Sequence, residues 1–232
     1  MHQNRLYFRP FRRQQSAYQD FGRYFFCHSS LIETPILLAQ GNVLAMKGKA
    51  HYPVTHIQIK KFTAISWAQQ IFIDNAFLGH VPQKILIAFV KTTSFVGSAS
   101  TNPFYFHHYD MTNHVLFVNG VQKPSEPLTM DCSSTFDANS AYETLFSSTG
   151  IQYDDRAHIN TLEMFTKSFY VLGFDLTPDR EVDEELTCLP CPGNLRVEAR
   201  LKKPFLEPVT WVLYAEFPGH IEIDKSRNII LE

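Results

Sequence analysis

A strict alternation of apolar and polar side chains near the end of the 232-residue chain constrains the fold more than any other feature. Between Asn194 and Lys202 every second residue is apolar. The apolar positions are Leu195, Val197, Ala199 and Leu201, and the polar ones are Arg196, Glu198, Arg200 and Lys202. Such a period of two predicts a β-strand with one face buried and the other in water.

The next run, Val209–Phe217, is apolar at odd and at even positions, which predicts a strand covered on both faces. Pro204 and Pro208 lie between the two runs and mark a turn, because proline cannot donate to a strand ladder. After Pro218 and Gly219, residues 220–225 alternate again as a third run. Together these segments indicate the antiparallel end of an all-β domain.

Further strands are predicted along the chain. Residues 50–63 alternate between apolar and polar, and residues 84–91 are apolar on both faces. Residues 165–176 are a third predicted strand. Asn119–Gly120 between apolar residues is the strongest short-range hairpin signal. Ser125–Asp137 has the composition of a loop.

Two short helices are predicted between these strands. One begins at Pro35, a favourable first helical position, and its pattern ends near Met46. The other covers Asn139–Ser147, with Asn139 or Ser140 as the expected N-cap.

Short strands separated by proline, glycine and asparagine are typical of a β-sandwich or barrel, and long irregular connections favour a jelly roll. The apolar content of 44% is ample for a core. We therefore predict an all-β, antiparallel jelly-roll sandwich with short helices in its loops. It is expected over residues 36–232, after a basic, aromatic and poorly ordered leader at residues 1–35.

The leader carries the arginines that could contact nucleic acid. Arg5, Arg9, Arg12 and Arg13 interleave with aromatic residues, a combination suited to phosphate contacts and base stacking. The alternative, which the lack of periodicity favours, is a leader without a binding role.

Overall composition excludes several classes of protein. The net charge of −2 exerts no global pull toward nucleic acid or a membrane, so no membrane partner is expected. No apolar run could span a bilayer, and no signal peptide is visible, which indicates an intracellular, non-secreted chain. Cys188 and Cys191 have the spacing of half a zinc site, but no second pair completes it; a proline-rich turn is the favoured interpretation.

No catalytic motif is present, and we expect no catalytic residue, cofactor or small-molecule substrate. One alternative is an Fe(II)-dependent jelly-roll oxygenase with His108 and Asp110 as an HxD pair. His220 or His158 would supply the distal ligand and Arg227 would anchor a co-substrate. The favoured interpretation is a strand-end histidine and a turn aspartate.

Seven segments carry a resemblance to a known family. They are Ala50–Ile65, Asp74–Val90, Thr101–Met111, Val118–Asp131, Tyr142–Asp155, Phe174–Asp179 and the terminal hairpin GNLRVEARLKKPFLEPVTWVLYAEFPGHIEIDKSRNI. In this order they resemble the double jelly-roll major capsid proteins of Polinton (Maverick) virus-like transposons and adintoviruses. The likeness covers Ala39–Glu232.

The resemblance implies a structural capsid subunit that associates with itself into trimeric capsomers of a virion. In that family this stretch is the second of two jelly rolls, so the chain is expected to be a truncated copy or remnant. The family's sequence in the region that corresponds to residues 101–110 is closer to NPFNFKHFN. Asp110 therefore lies outside the family's sequence pattern.

Overall fold

The structure is a computed structural model. It describes residues 13–20, 23–30, 33–46, 48–130, 138–150, 160–177, 190–224, 226 and 228–231. Cys188, His158 and Arg227, and with them Arg5, Arg9 and Arg12, lie outside the described residues.

Strands dominate the secondary structure. They are β1 (Arg13–Asp20), β2 (Arg23–Ser30), β3 (Ala50–Ala64), β4 (Gln70–His80), β5 (Lys84–Lys91), β6 (Met111–Val118), β7 (Val121–Thr129), β8 (Val171–Asp175), β9 (Pro192–Leu201), β10 (Val209–Ile223) and β11 (Ile229–Leu231). The helices are α1 (Thr34–Ala45), α2 (Thr92–Val96), α3 (Asn139–Thr149) and α4 (Leu162–Lys167). None of the helices that the structure describes has the length and apolar character needed to cross a membrane.

The chain forms two compact units, Pro53–His220 and a smaller one of Met1–Tyr52 with Ile221–Glu232. In the larger unit the strands pair as nested partners: β3 with β10, β4 with β9, β5 with β8 and β6 with β7. The pairs β5–β10 and β6–β9 then join these ribbons into two sheets, ordered β3-β10-β5-β8 and β4-β9-β6-β7. Eight strands in this order are a jelly roll, so the predicted fold class is confirmed.

The core lies between the two sheets. The alternation predicted for β9 is confirmed, since Leu195, Val197, Ala199 and Leu201 are all buried. In β10, Trp211 is 0% exposed, and its ring meets Phe89 of β5 edge-on with centroids 4.6 Å apart.

Most of the predicted elements are present. α1 has its proline in the first turn, and β3 and β5 match their predicted segments. Asn119 (φ 51°) and Gly120 (φ 79°) are both left-handed, as the tight turn of a two-residue hairpin requires.

Several boundaries predicted from sequence are wrong. β7 runs on to Thr129, into the predicted loop 125–137, of which residues 131–137 lie outside the described residues. As the outer strand of its sheet, β7 tolerates prolines. Phe165 lies in α4, capped by Thr161, and not in a strand. Pro218 and Gly219 lie inside β10, beyond its last pair with β5 at Glu216, where no donor to β5 is needed. α3 is capped at Ala138 without a side-chain hydrogen bond, so the predicted cap is wrong.

The smaller unit contains an antiparallel pair, β1 with β2, in a segment where the sequence predicted no strand. β11 pairs with the last three residues of β10, Ile221–Ile223. Glu222 is buried and forms ion pairs with Lys49 and, at 3.3 Å between Oε1 and Nδ1, with His51.

Candidate functional site

Three connections of the jelly roll, residues 65–69, 92–110 and 202–208, meet at one end of the sandwich and are called the loop end below. The described ends of a fourth, between β7 and β8, also reach it, since Phe106 N–H donates to the carbonyl of Ser168 at 2.9 Å. Backbone hydrogen bonds join them. Trp67 N–H donates to the carbonyl of Phe205 at 2.7 Å, and Lys202 N–H donates to that of Asp110 at 2.8 Å. Thr92 N–H donates to the carbonyl of Pro208 at 3.1 Å. The strand register brings these segments together although they are far apart in sequence.

The loop end holds a cavity of about 580 Å³, a size common among ligand pockets. Its lining consists of Lys91, His107, His108, Tyr109, Asp110, Lys203, Pro204, Phe205, Leu206 and Glu207. Aromatic rings meet edge-on along it: His107 with Tyr109 at 5.5 Å and Tyr109 with Phe205 at 5.4 Å between centroids.

Charges in the cavity wall are arranged as pairs. Lys91 Nζ lies 2.8 Å from Oε1 of Glu207, with both side chains about two-fifths exposed. Lys203 Nζ lies 3.9 Å from Oδ2 of Asp110. Opposite charges at these distances leave little net charge in the wall itself, and each exposed pair adds at most about 1 kcal/mol to stability.

Two rings of the cavity, those of His107 and Tyr109, have shifted pKa values. Burial lowers the pKa of His107, Lys91 and His108 lower it further, and Glu207 raises it. Burial raises the pKa of the Tyr109 hydroxyl, and the charge of Glu207 adds to the rise. Both shifts favour the uncharged forms of these two rings.

The predicted metal ligands are only partly brought together. His108 Nδ1 accepts a hydrogen bond from the backbone N–H of Asp110 at 3.0 Å, and it lies 3.7 Å from Oδ1 of Asp110. The first contact occupies the Nδ1 lone pair and leaves the ring proton on Nε2. We therefore treat the second distance as proximity and not as an ion pair.

Of the two proposed distal ligands, His158 lies outside the described residues and His220 lies elsewhere. His107 N–H donates to the carbonyl of Phe89, which is opposite Trp211, and His220 is nine residues farther along β10. At the rise of a strand this is about 30 Å. His108, Asp110 and His220 therefore do not fit a three-ligand iron site.

The remaining predicted residues have simpler surroundings. Cys191 has a free, exposed thiol. Its backbone carbonyl accepts a hydrogen bond from Val81 N–H. Arg13 is the first residue of β1.

Sequence reasoning missed five large apolar side chains that stand out at the loop end. They are Ile65, Trp67, Val96, Phe104 and Leu206. The available signal was a single bulky apolar residue inside a stretch of turn-forming residues, as with Leu206 between two prolines.

Comparison with known proteins gives one sequence relative and several solved structures. No protein-family model matches the chain. An uncharacterised protein of Caenorhabditis elegans, F54H12.2, is 26% identical over 188 residues, which cover 78% of this chain and 43% of that protein.

The structural relatives are viral. PBCV-1 VP54, fitted into a reconstruction of the virophage Sputnik, matches with a TM-score of 0.50 at 11% identity, over 88% of this chain and 55% of that one. The mavirus major capsid protein matches with a TM-score of 0.40 at 10% identity, over 79% of this chain and 41% of that one. The chain thus spans less than two thirds of the length of each relative.

At 11% identity the likeness to VP54 concerns the fold. The resemblance predicted from seven sequence segments is confirmed at that level: the chain has the jelly-roll fold found in double jelly-roll capsid proteins.

Proposed function

We propose that this chain is a structural capsid-type subunit which packs against other jelly rolls to form capsomers of a virus-like transposable element. The observation that carries the proposal is the nested pairing of β3 through β10, the fold shared with VP54. A role in the virion and the absence of catalysis belong to the same proposal.

The cavity supports a role other than catalysis. Its carboxylates, those of Asp110 and Glu207, are paired with lysines. No lining residue forms a nucleophile and base pair. The distance between His108 and His220 argues against the oxygenase alternative with His220 as its distal ligand; with His158, which lies outside the described residues, that alternative stays a prediction.

The outer face of β3 supports packing against other chains. Ile57 and Ile59 point to the same side of the strand and are 50% and 66% exposed. Every residue from 53 to 59 is exposed, and among the described residues β3 pairs only with β10. An apolar strand at a sheet edge offers both side chains and backbone groups to a neighbouring chain.

Oligomeric state tests the proposal. We expect light scattering after size exclusion to show discrete oligomers, and electron microscopy to show trimers. The double variant Ile57→Lys, Ile59→Lys should shift the chain to monomer, because lysines at a buried interface lose hydration. Val121→Lys is the matched control: Val121 is 63% exposed on β7, in the other sheet. A monomer at all concentrations for the unmodified chain would refute self-assembly.

Nucleic-acid contact through Arg5, Arg9, Arg12 and Arg13 remains a prediction. It requires binding that weakens as salt increases and that is lost when residues 1–32 are deleted. Binding that survives the deletion would exclude the leader as its source.

A further inference from the structure

We infer that the cavity at the loop end binds, without reaction, a small neutral ligand rich in hydroxyl groups, of the chemical class of a mono- or disaccharide. The arrangement that carries the inference is two lysine–carboxylate pairs beside an apolar surface in one cavity of about 580 Å³. The inference uses none of residues 53–59 of β3, so it is independent of the self-association proposed above.

The charges of the cavity wall favour neither an anion nor a cation. Lys91 Nζ lies 2.8 Å from Oε1 of Glu207, and Lys203 Nζ lies 3.9 Å from Oδ2 of Asp110. An anion drawn to either lysine is repelled by the carboxylate beside it, and a cation meets the reverse arrangement. A neutral ligand meets no such opposition.

A purely apolar ligand does not suit the same wall. The side chains of Lys91 and Glu207 are 42% and 40% exposed, and those of Lys203 and Asp110 are 77% and 43% exposed. Covering these charged groups with hydrocarbon would remove their water without replacing its hydrogen bonds, which is costly. The ligand must therefore supply hydrogen bonds of its own.

Hydroxyl groups replace that water at both kinds of charge. A hydroxyl donates to a carboxylate and accepts from an ammonium group, and hydrogen bonds to charged groups are stronger than those between neutral groups. Adjacent hydroxyls on a sugar ring are about one hydrogen-bond length apart. Two of them can therefore contact a lysine and its partner carboxylate together, and the cavity offers two such pairs.

The rest of the wall suits the C–H face of a sugar ring. Pro204, Phe205 and Leu206 line the cavity, and the ring of Tyr109 meets that of Phe205 edge-on with centroids 5.4 Å apart. Aromatic faces carry partial negative charge and attract C–H groups. Apolar walls with a few polar groups in fixed positions are the usual form of a small-molecule site.

The turn that carries Asp110 is held in shape before any ligand binds. Tyr109 (φ 49°) and Asp110 (φ 50°) are consecutive left-handed residues, which is uncommon for residues other than glycine. Asp110 N–H donates to Nδ1 of His108 at 3.0 Å, and the carbonyl of Asp110 accepts from Lys202 N–H at 2.8 Å. A loop that is already ordered loses less conformational entropy on binding.

NMR of the full chain tests the inference, with the rings of His107 and His108 as reporters in the cavity. The probes are the methyl glycosides of glucose, galactose and N-acetylglucosamine, and the disaccharides maltose and lactose. We expect at least one of them to shift both ring signals with a saturable dependence on concentration, and added salt should change its affinity less than about twofold. The ring of His80, at the far end of β4, should not shift. Inorganic phosphate and benzene, as the anionic and apolar probes, should leave all three rings unchanged.

Matched variants assign the site to the paired charges. The double variant Asp110→Asn, Glu207→Gln keeps the size of both side chains and should weaken binding of the glycoside about tenfold or more. Because it leaves Lys91 and Lys203 without opposing charges, it should also begin to bind inorganic phosphate, which a variant that had merely unfolded would not do. Glu216→Gln is the control, since Glu216 pairs with Lys84 at the other end of β5, and it should leave binding unchanged.

Three outcomes would overturn the inference. They are no shift of the His107 and His108 rings with any of the five sugars, equal weakening of binding by the control, and tighter binding of phosphate or benzene than of every sugar by the unmodified chain.

Discussion

β3 and β10 are both 15 residues long and pair with each other, yet their side chains have opposite environments. From Val209 to Phe217 every second residue of β10 is buried and the rest are half-buried or buried. Over residues 53–59 of β3 every side chain is exposed. β10 lies between β3 and β5, whereas β3 lies at the edge. Edge position alone does not explain the difference, because the edge strand β8 buries Leu172 and Phe174. Residues 53–59 of β3 differ in being covered on neither face, which leaves them available to a partner.

Truncating one large side chain in each strand should give the largest contrast. Trp211→Ala removes a 0%-exposed ring from the core and should lower the free energy of unfolding by about 3–5 kcal/mol. Ile59→Ala, at a 66%-exposed position, should change it by less than about 1 kcal/mol. Urea unfolding followed by far-ultraviolet circular dichroism measures both. Similar losses would contradict the assignment of core and edge.

A buried histidine in the same core should make stability depend on pH. His114 of β6 is 1% exposed, its ring lies 5.4 Å from that of Phe89, and neither ring nitrogen has a hydrogen-bond partner among the described residues. Burial lowers the pKa of His114 to about 3. Its unfolded pKa is about 6.5, so between these values the unfolded chain binds the proton and the folded chain does not.

The contribution of neutral His114 to the free energy of unfolding is complete above the pKa that His114 has in the unfolded chain. It is lost as the pH falls toward the pKa of the folded chain. Between pH 7 and pH 5 the loss should be about 2 kcal/mol. His114→Phe should remove this part of the pH dependence, while His80→Phe, at an exposed strand end, should not. Urea unfolding at the two pH values compares the variants. If the free energy of unfolding of His114→Phe depends on pH as strongly as that of the unmodified chain, the prediction is contradicted.

Sequence reasoning located the core well because burial leaves a periodic signature. Two features follow from local backbone geometry and can therefore be predicted from sequence. They are the Asn119–Gly120 turn and the alternation of Leu195, Val197, Ala199 and Leu201. It failed where tertiary position decides, as at Phe165 in α4 and in the proline-containing edge strand β7. Propensity is weak when a neighbouring sheet supplies most of the free energy.

The loop end could not be predicted for a different reason. Trp67, Phe104 and Leu206 are far apart in sequence, and only the jelly-roll register places their loops together. His108 and Asp110 show the converse: their HxD spacing suggested chemistry, but a backbone hydrogen bond explains it.

The smallest expected effect concerns charge at the loop end compared with the core. Lys91 lowers and Glu207 raises the pKa of His107, so Lys91→Met should raise that pKa and Glu207→Gln should lower it. The pair is about two-fifths exposed, so each shift should be below about one pH unit and should shrink with added salt. Titration of the His107 ring by NMR measures each shift.

The controls are Lys84→Met and Glu216→Gln, a pair 3.1 Å apart at the other end of β5. They should leave His107 unchanged, and no variant should bring His114 into the neutral range. A shift of His107 by the distant pair would show that charge at the two ends is coupled through the sheet, contrary to the separation argued above.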